Sequence, residues 1–311
     1  MDSKITKRRL SGFMAYEWIA TLIVAILIIV LWDLFYTITK VQLTPGQHFK
    51  VYVDTGVASV SDFFDIADDD VLSYDILRGE YETLTDDKNI LIQRLSIAEG
   101  DIIITDCYKK DEKTLSKAEK YITNNIEYPM YEFERLLGDS MNYLYGFVLD
   151  EYATGDKTVA FDFDKLDKAK IEAGFIARNG TDNRFRKEKE RQQGLEKEYA
   201  RIKKLCTVVE DFHYLINDDN VDKSIFYTYT YENGQSYIYG LRLENLVNGD
   251  HKHDNYYKMS VAVNENAKGS EDVVVMVFDF VKQQRDLQFE TISYLTDMVK
   301  KFSNIALPSR A

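Results

Sequence analysis

The longest apolar run in the chain is also its least interrupted. Trp18 to Ile38 reads WIATLIVAILIIVLWDLFYTI, with a single charge, Asp33, near its far end. About 20 helical residues match the hydrocarbon thickness of a bilayer, so the run is expected to be a transmembrane helix. Trp18 stands at one end and Trp32 and Tyr36 toward the other, where amphipathic rings settle in a membrane interface. Asp33 lies near enough to the outer end for its carboxylate to reach the headgroups. Lys4, Lys7, Arg8 and Arg9 precede the run, which holds the N-terminus in the cytoplasm and sends the following chain across. A cleaved signal would have an apolar region of about 7–15 residues and a small-residue cleavage site, whereas this run continues into WDLFY. Cys107 and Cys206 lie too far downstream to be the lipidated first residue of a lipoprotein. The expected division is a basic cytoplasmic tail over 1–17, the span over 18–38, a linker over 39–47 and an extracytoplasmic domain over 48–311.

Beyond Pro45-Gly46 the pattern shortens. Phe49–Val53 alternates as a strand and stops at Asp54-Thr55-Gly56, and Val71–Leu77 reads as a second strand. Thr85-Asp86-Asp87 offers a helix N-cap, followed by Ile90, Ile92, Leu95 and Ile97 until Gly100 ends the run. Asp101-Ile-Ile-Ile-Thr-Asp106 is a short continuous apolar run, the mark of a strand covered on both faces. Strand, helix and buried strand in succession predict an α/β domain. Helices are expected near Lys113–Ile122, Leu137–Leu149 and Lys165–Ala177, with a strand at Thr158–Phe163. Thr181-Asp182-Asn183 is positioned to cap a long charged helix on which Leu195, Tyr199, Ile202, Leu205, Val209, Phe212 and Ile216 recur every three or four residues. Its apolar stripe has too few clean heptads for a coiled coil and is expected to pack on its own domain. Asn233-Gly234 between Ser224–Tyr231 and Ser236–Leu243 predicts a hairpin. A strand at Lys258–Val263 and helical runs near Ser270–Gln284 and Phe289–Phe302 follow, although Val273–Phe278 is β-branched enough to be a strand by propensity.

Charge narrows the class of partner. The whole chain carries −13; the tail over 1–17 has four basic and two acidic side chains, so the remainder carries −15. That excess argues against nucleic acid and against binding of the domain to anionic lipid, both of which need a basic patch. Two cysteines make no disulfide framework, and the sequence leaves open whether they pair. There is no H-E-x-x-H, no phosphate-cradling glycine loop, no G-x-S-x-G elbow and no dinucleotide fingerprint. His251 and His253 are the candidate metal ligands, but His-x-His in a polar stretch is expected to be solvated, and no metal or cofactor is predicted. Asp218, Asn220 and Asp222 begin like a calcium loop, but Lys223 and Tyr229 stand where glycine and glutamate are needed. Of the carboxylates Asp162, Asp164 and Asp167, Asp164 is expected to cap a helix. Tyr227, Tyr229 and Tyr231 share one face of a strand, and Tyr237 and Tyr239 share a face across the turn. They serve either as hairpin-stabilising pairs or as a sugar- or peptide-stacking face.

Two segments resemble extracellular solute-binding proteins of the bacterial ABC-transporter type. One is Leu91-Ile-Gln-Arg-Leu-Ser-Ile-Ala-Glu-Gly-Asp-Ile-Ile-Ile-Thr-Asp106, similar to the helix, turn and buried strand of that family's first lobe. The other runs from Tyr239-Gly-Leu-Arg-Leu-Glu-Asn-Leu246 through Tyr256–Asn264 to an expected helix at Ser270–Val281. The resemblance implies an α/β, two-lobed, periplasmic-binding-protein-like domain after the transmembrane helix, with a ligand held between lobes. It implies ligand contacts at Asp54, Thr55, Asp106 and Tyr108. Together with the span over 18–38, which makes the bilayer a partner, it also implies a non-enzymatic, membrane-anchored solute-binding function beside an ABC transporter, with a small solute, sugar or peptide and a membrane protein as further partners. The chain departs from the family in lacking the lipid-anchoring cysteine, in its short domain, and in Glu271-Asp-Val-Val-Val-Met276 where an alanine-containing helix is usual. Two other classes remain: an assembly subunit of a surface complex that has lost its ligand, and a carboxylate-based surface hydrolase.

Overall fold

A computed structural model of the chain describes residues 11–12, 18–39, 48–54, 57–58, 78–84, 88–96, 99–111, 113–124, 126–148, 165–180, 185–246, 261–262, 271–279, 287–303 and 305–307. They belong to two compact units, Met1–Leu43 and Thr44–Ala311. In the first, α1 (Trp18–Thr39) is one helix with no glycine or proline to break it. Its large apolar side chains are exposed on every side, Trp32 to 73%. Over Trp18–Thr37 it is long and apolar enough for a membrane span or a signal sequence.

The second unit is mixed α/β, built on a six-stranded sheet. Its strands are β1 (His48–Asp54), β3 (Arg78–Thr83), β4 (Ile102–Asp106), β5 (Phe226–Thr230), β6 (Ser236–Arg242) and β8 (Val273–Val277), in the order β3-β1-β4-β8-β6-β5. β1 lies parallel to both β3 and β4; the β4–β8, β8–β6 and β6–β5 pairs are antiparallel. A two-stranded ribbon joins β2 (Val57–Ala58) to β7 (Val261–Ala262).

Period-2 alternation decides which helices cover which face. Phe49, Val51, Val53, Ile102, Ile104, Val273, Val275 and Val277 pack beneath α4 (Phe133–Tyr145), α6 (Glu188–Asn217) and α8 (Leu287–Phe302). Tyr52, Ile103, Val274 and Met276 pack on the other side against α2 (Lys88–Ser96) and α3 (Lys117–Thr123). Both faces of β4 and β8 are thus buried, which explains their unbroken apolar runs. α5 (Lys168–Asn179) lies against α6, and α7 (Leu243–Leu246) is a single turn after β6.

Several elements begin elsewhere than the pattern predicts. α3 starts at Lys117 rather than Lys113 because Ser116 caps it. α5 is capped by Asp167, whose carboxylate accepts from the Ala169 and Lys170 amides at 2.9 and 3.4 Å. Asp164, the expected cap, lies outside the described residues, as do Asp162, Val71–Leu77, Thr85–Asp87, Thr158–Phe163 and Thr181–Asn183. The expected helix over Ser270–Gln284 is overturned at its core. Val273–Val277 is β8, because its β-branched side chains fill both faces between β4 and β6. The part of the family resemblance that placed a helix there falls with it.

The hairpin forms as predicted, with Gly234 at φ +83° and the Tyr231 amide donating to Gln235 O at 2.8 Å. Within β6 a Cβ added at Gly240 would sit 2.4 Å from Val275 O on the neighbouring strand. The strands must part for any side chain there. Gly240→Ala is therefore expected to destabilise the domain by about 1–3 kcal/mol, read as a lower denaturant midpoint with an unchanged slope. An unshifted midpoint would mean that the β6–β8 contact is looser than these distances.

Candidate functional site at the carboxyl ends of β1 and β4

The chain leaves β1 for β3 on one side of the sheet, then returns through α2 to β4 on the other side of β1. Where connections diverge from neighbouring parallel strands, a crevice opens outside their carboxyl ends, the usual ligand position in open α/β sheets. Asp54 is the last residue of β1 and Asp106 the last of β4.

α3 closes over this point, and its own cap fixes it there. The Ser116 hydroxyl accepts from the Glu119 amide at 3.2 Å, while the Glu119 carboxylate accepts from the Ser116 amide at 3.0 Å. This reciprocal capping box holds the first turn. Lys117 and Tyr121, four apart, share the face turned to the strand ends. The Lys117 ammonium donates to Asp54 Oδ1 and to Asp54 O, each at 3.2 Å, and lies 3.3 Å from Asp106 Oδ2. The Tyr121 hydroxyl donates to Asp54 Oδ2 at 2.7 Å. The Thr105 hydroxyl donates to Asp54 O at 3.3 Å. Both aspartate side chains are 13% exposed and that of Lys117 32%.

Burial raises the Asp106 carboxyl above its ordinary range, opposed by Lys117. Burial works against the Lys117 ammonium, but Asp54 and Asp106 outweigh it and raise its pKa. The Tyr121 phenol is pushed up by burial first and by Asp54 second, so it stays a hydrogen-bond donor. The site presents two carboxyl groups joined by one ammonium, with one phenol on Asp54. Such a set can exchange an internal cation and hydroxyl for those of a ligand.

A second polar network flanks it. Arg242 Nη1 lies 3.8 Å from Cys107 Sγ and 3.3 Å from Glu244 Oε1, with its guanidinium 5.2 Å over the Tyr227 ring. Burial pushes the Cys107 thiol up to about 12, which keeps it protonated and unreactive. Cys107 and Cys206 are both free.

Of the residues implied by the resemblance, Asp54 and Asp106 meet through Lys117. Tyr108 is 51% exposed and is not among the groups that hold the ammonium, and Thr55 lies outside the described residues. Sequence reasoning missed Lys117 and Tyr121. The available signal was Ser116-Lys-Ala-Glu119, a capping-box spacing that fixes where α3 begins and so which face Lys117 takes.

The other candidates resolve more simply. Tyr227 is buried and Tyr229, Tyr231 and Tyr237 are half-buried against the second core face. The Tyr229 and Tyr231 rings stand 4.9 Å apart, the Tyr231 and Tyr239 hydroxyls 2.6 Å apart, and Tyr239 donates to Glu132 at 3.2 Å. Asp218 and Asp222 cap local turns by accepting the Asn220 and Ser224 amides. His251 and His253 lie outside the described residues. Among the described residues no group of three or more His, Cys, Asp or Glu could hold a metal ion. No family model, no curated protein and no solved structure matches the chain.

Proposed function

We propose that the chain is a membrane-anchored, non-enzymatic binding protein. Its extracytoplasmic domain takes a small solute, such as a sugar, amino acid or peptide, at the carboxyl ends of β1 and β4. One observation carries this: two carboxyl groups from separate strands converge at the point where the strand order switches, on an ammonium that is a third exposed. A ligand amine or hydroxyl set competes there with a lysine held at 3.2–3.3 Å, longer than the roughly 2.7–2.9 Å of strong charge-assisted bonds. α1 supplies the anchor, and the basic residues before it set the domain outside.

The finer architecture of the proposal is two lobes serving, or descended from, an ABC importer. β8, from late in the chain, returns to the centre of the sheet, and the β2–β7 ribbon likewise pairs an early with a late segment. A chain that leaves one lobe and comes back through a hinge leaves such pairings.

The test is a thermal-shift screen of the full chain in nanodiscs against sugars, amino acids, peptides and amines. A ligand at 100 times its Kd should stabilise by about 2.7 kcal/mol, and Asp106→Asn should remove that shift. A flat response overturns solute binding and favours an assembly subunit. That second reading has its own observation, since Lys117 and Tyr121 already satisfy Asp54 from within.

A further inference from the structure

Asp33 is the only charged residue in α1, and its position in the helix is awkward for a carboxylate. Trp18–Thr37 is 20 residues, about 30 Å of helix and so about the full hydrocarbon thickness. Asp33 lies four residues inside Thr37, about 6 Å along the axis, and about 8 Å from the midpoint. A lysine or arginine could carry its charge well clear on a long stem; an aspartate carboxylate, two bonds from the backbone, reaches the headgroups only from the outer end of the span and is otherwise held in the apolar layer. Among the described residues none pairs with it, and apart from the hydroxyls of Tyr36 and Thr37 its surroundings on the helix are apolar. Leu22, Ile26, Ile29 and Tyr36 share its face at i−11, i−7, i−4 and i+3, exposed to 49%, 51%, 67% and 56%. An ionisable group at this depth is expensive and is retained where it meets a partner.

We propose that this face docks against a transmembrane helix of another protein, and that Asp33 pairs there with a lysine or arginine at the same depth. Charge complementarity selects this occupant. A second copy would bring a second carboxylate to the contact, and a purely apolar helix would leave the first unpaired. The proposal rests on the membrane-anchored reading above.

The test places a photo-crosslinking amino acid at Ile29, on the Asp33 face, or at Leu31, on the opposite face at nearly the same depth, in the full chain in membranes of its own source cells. The expected result is an adduct to one protein from Ile29 at least tenfold stronger than from Leu31. That adduct should be lost in Asp33→Asn, kept in Asp33→Glu, and map to a transmembrane segment carrying Lys or Arg. Lipid adducts alone, or equal labelling from both faces, would overturn the proposal and assign the carboxylate to headgroups. An adduct to a second copy, or to a segment without a basic residue, would overturn it too. Release of the chain by alkaline carbonate, or an N-terminus shortened past the span, would instead mark failure of the anchor itself.

Discussion

Arg201→Ala is expected to lower the stability of the domain by about 3–5 kcal/mol, and Glu198→Ala by a similar amount. The two residues lie three apart on α6, joined by bonds of 2.9 Å from Nε and 2.8 Å from Nη2. Their side chains are 2% and 6% exposed. The guanidinium sits 5.9 Å from the Phe289 ring of α8, and Nη2 reaches the Tyr143 hydroxyl of α4 at 3.4 Å. Removing either partner takes two charge-assisted bonds from a charge buried between three helices, which is the costly case. Removing both is different: Glu198→Leu with Arg201→Met fills similar volume with no charge to desolvate and is expected to fall near the wild type. Denaturant melts of the two alanine variants and the double replacement decide it. A loss under about 1 kcal/mol in Arg201→Ala would put this pair in the energetic class of a solvated surface bridge.

The same pair marks the limit of what the sequence shows. Glu-x-x-Arg on a charged helix reads as solvent-facing, and nothing local tells that α4 and α8 close over it. The stripe from Ile202 to Ile216 was readable because its period is a property of one helix. The strands follow this division. β1 alternates, β4 is continuously apolar, and the hairpin has its Asn-Gly, so each announces itself. β8 does not: Val-Val-Val-Met-Val fits helix or strand until β4 and β6 are known to flank it. At the candidate site, the family resemblance implied Asp54 and Asp106, and each is the last residue of its strand. That they meet depends on β1 pairing parallel with β4. Lys117 and Tyr121 depend further on α3 folding over the strand ends.

Asp101 gives the largest pH effect, and its sign is opposite to that of an ordinary salt-bridged carboxylate. It lies just before β4, 3% exposed, with its Oδ2 accepting the Lys50 amide at 2.7 Å. The Lys50 ammonium is turned away to Glu82 and Glu99 and so leaves the charge uncompensated. Burial pushes the carboxyl up to about 8; the Lys50 amide opposes this and the nearby Glu290 adds to it. In the unfolded chain the group titrates near 3.9. Between roughly pH 4 and pH 8 the folded state therefore holds one proton more than the unfolded state, so stability falls as pH rises through that window. At 1.36 kcal/mol per unit the loss is on the order of 5 kcal/mol, complete once the pH passes the folded value. Asp101→Asn keeps an oxygen for the Lys50 amide and removes the titration. The difference in unfolding free energy between variant and wild type should therefore grow in the variant's favour from pH 4 to pH 8 and level off above. Subtracting the two curves cancels Glu82, Glu99 and every other titrating group that the substitution leaves unchanged; Glu290 is coupled to Asp101, and its response belongs to the measured difference. A difference that stays flat across the window would mean that Asp101 is ionised in the folded protein and that its pocket is solvated.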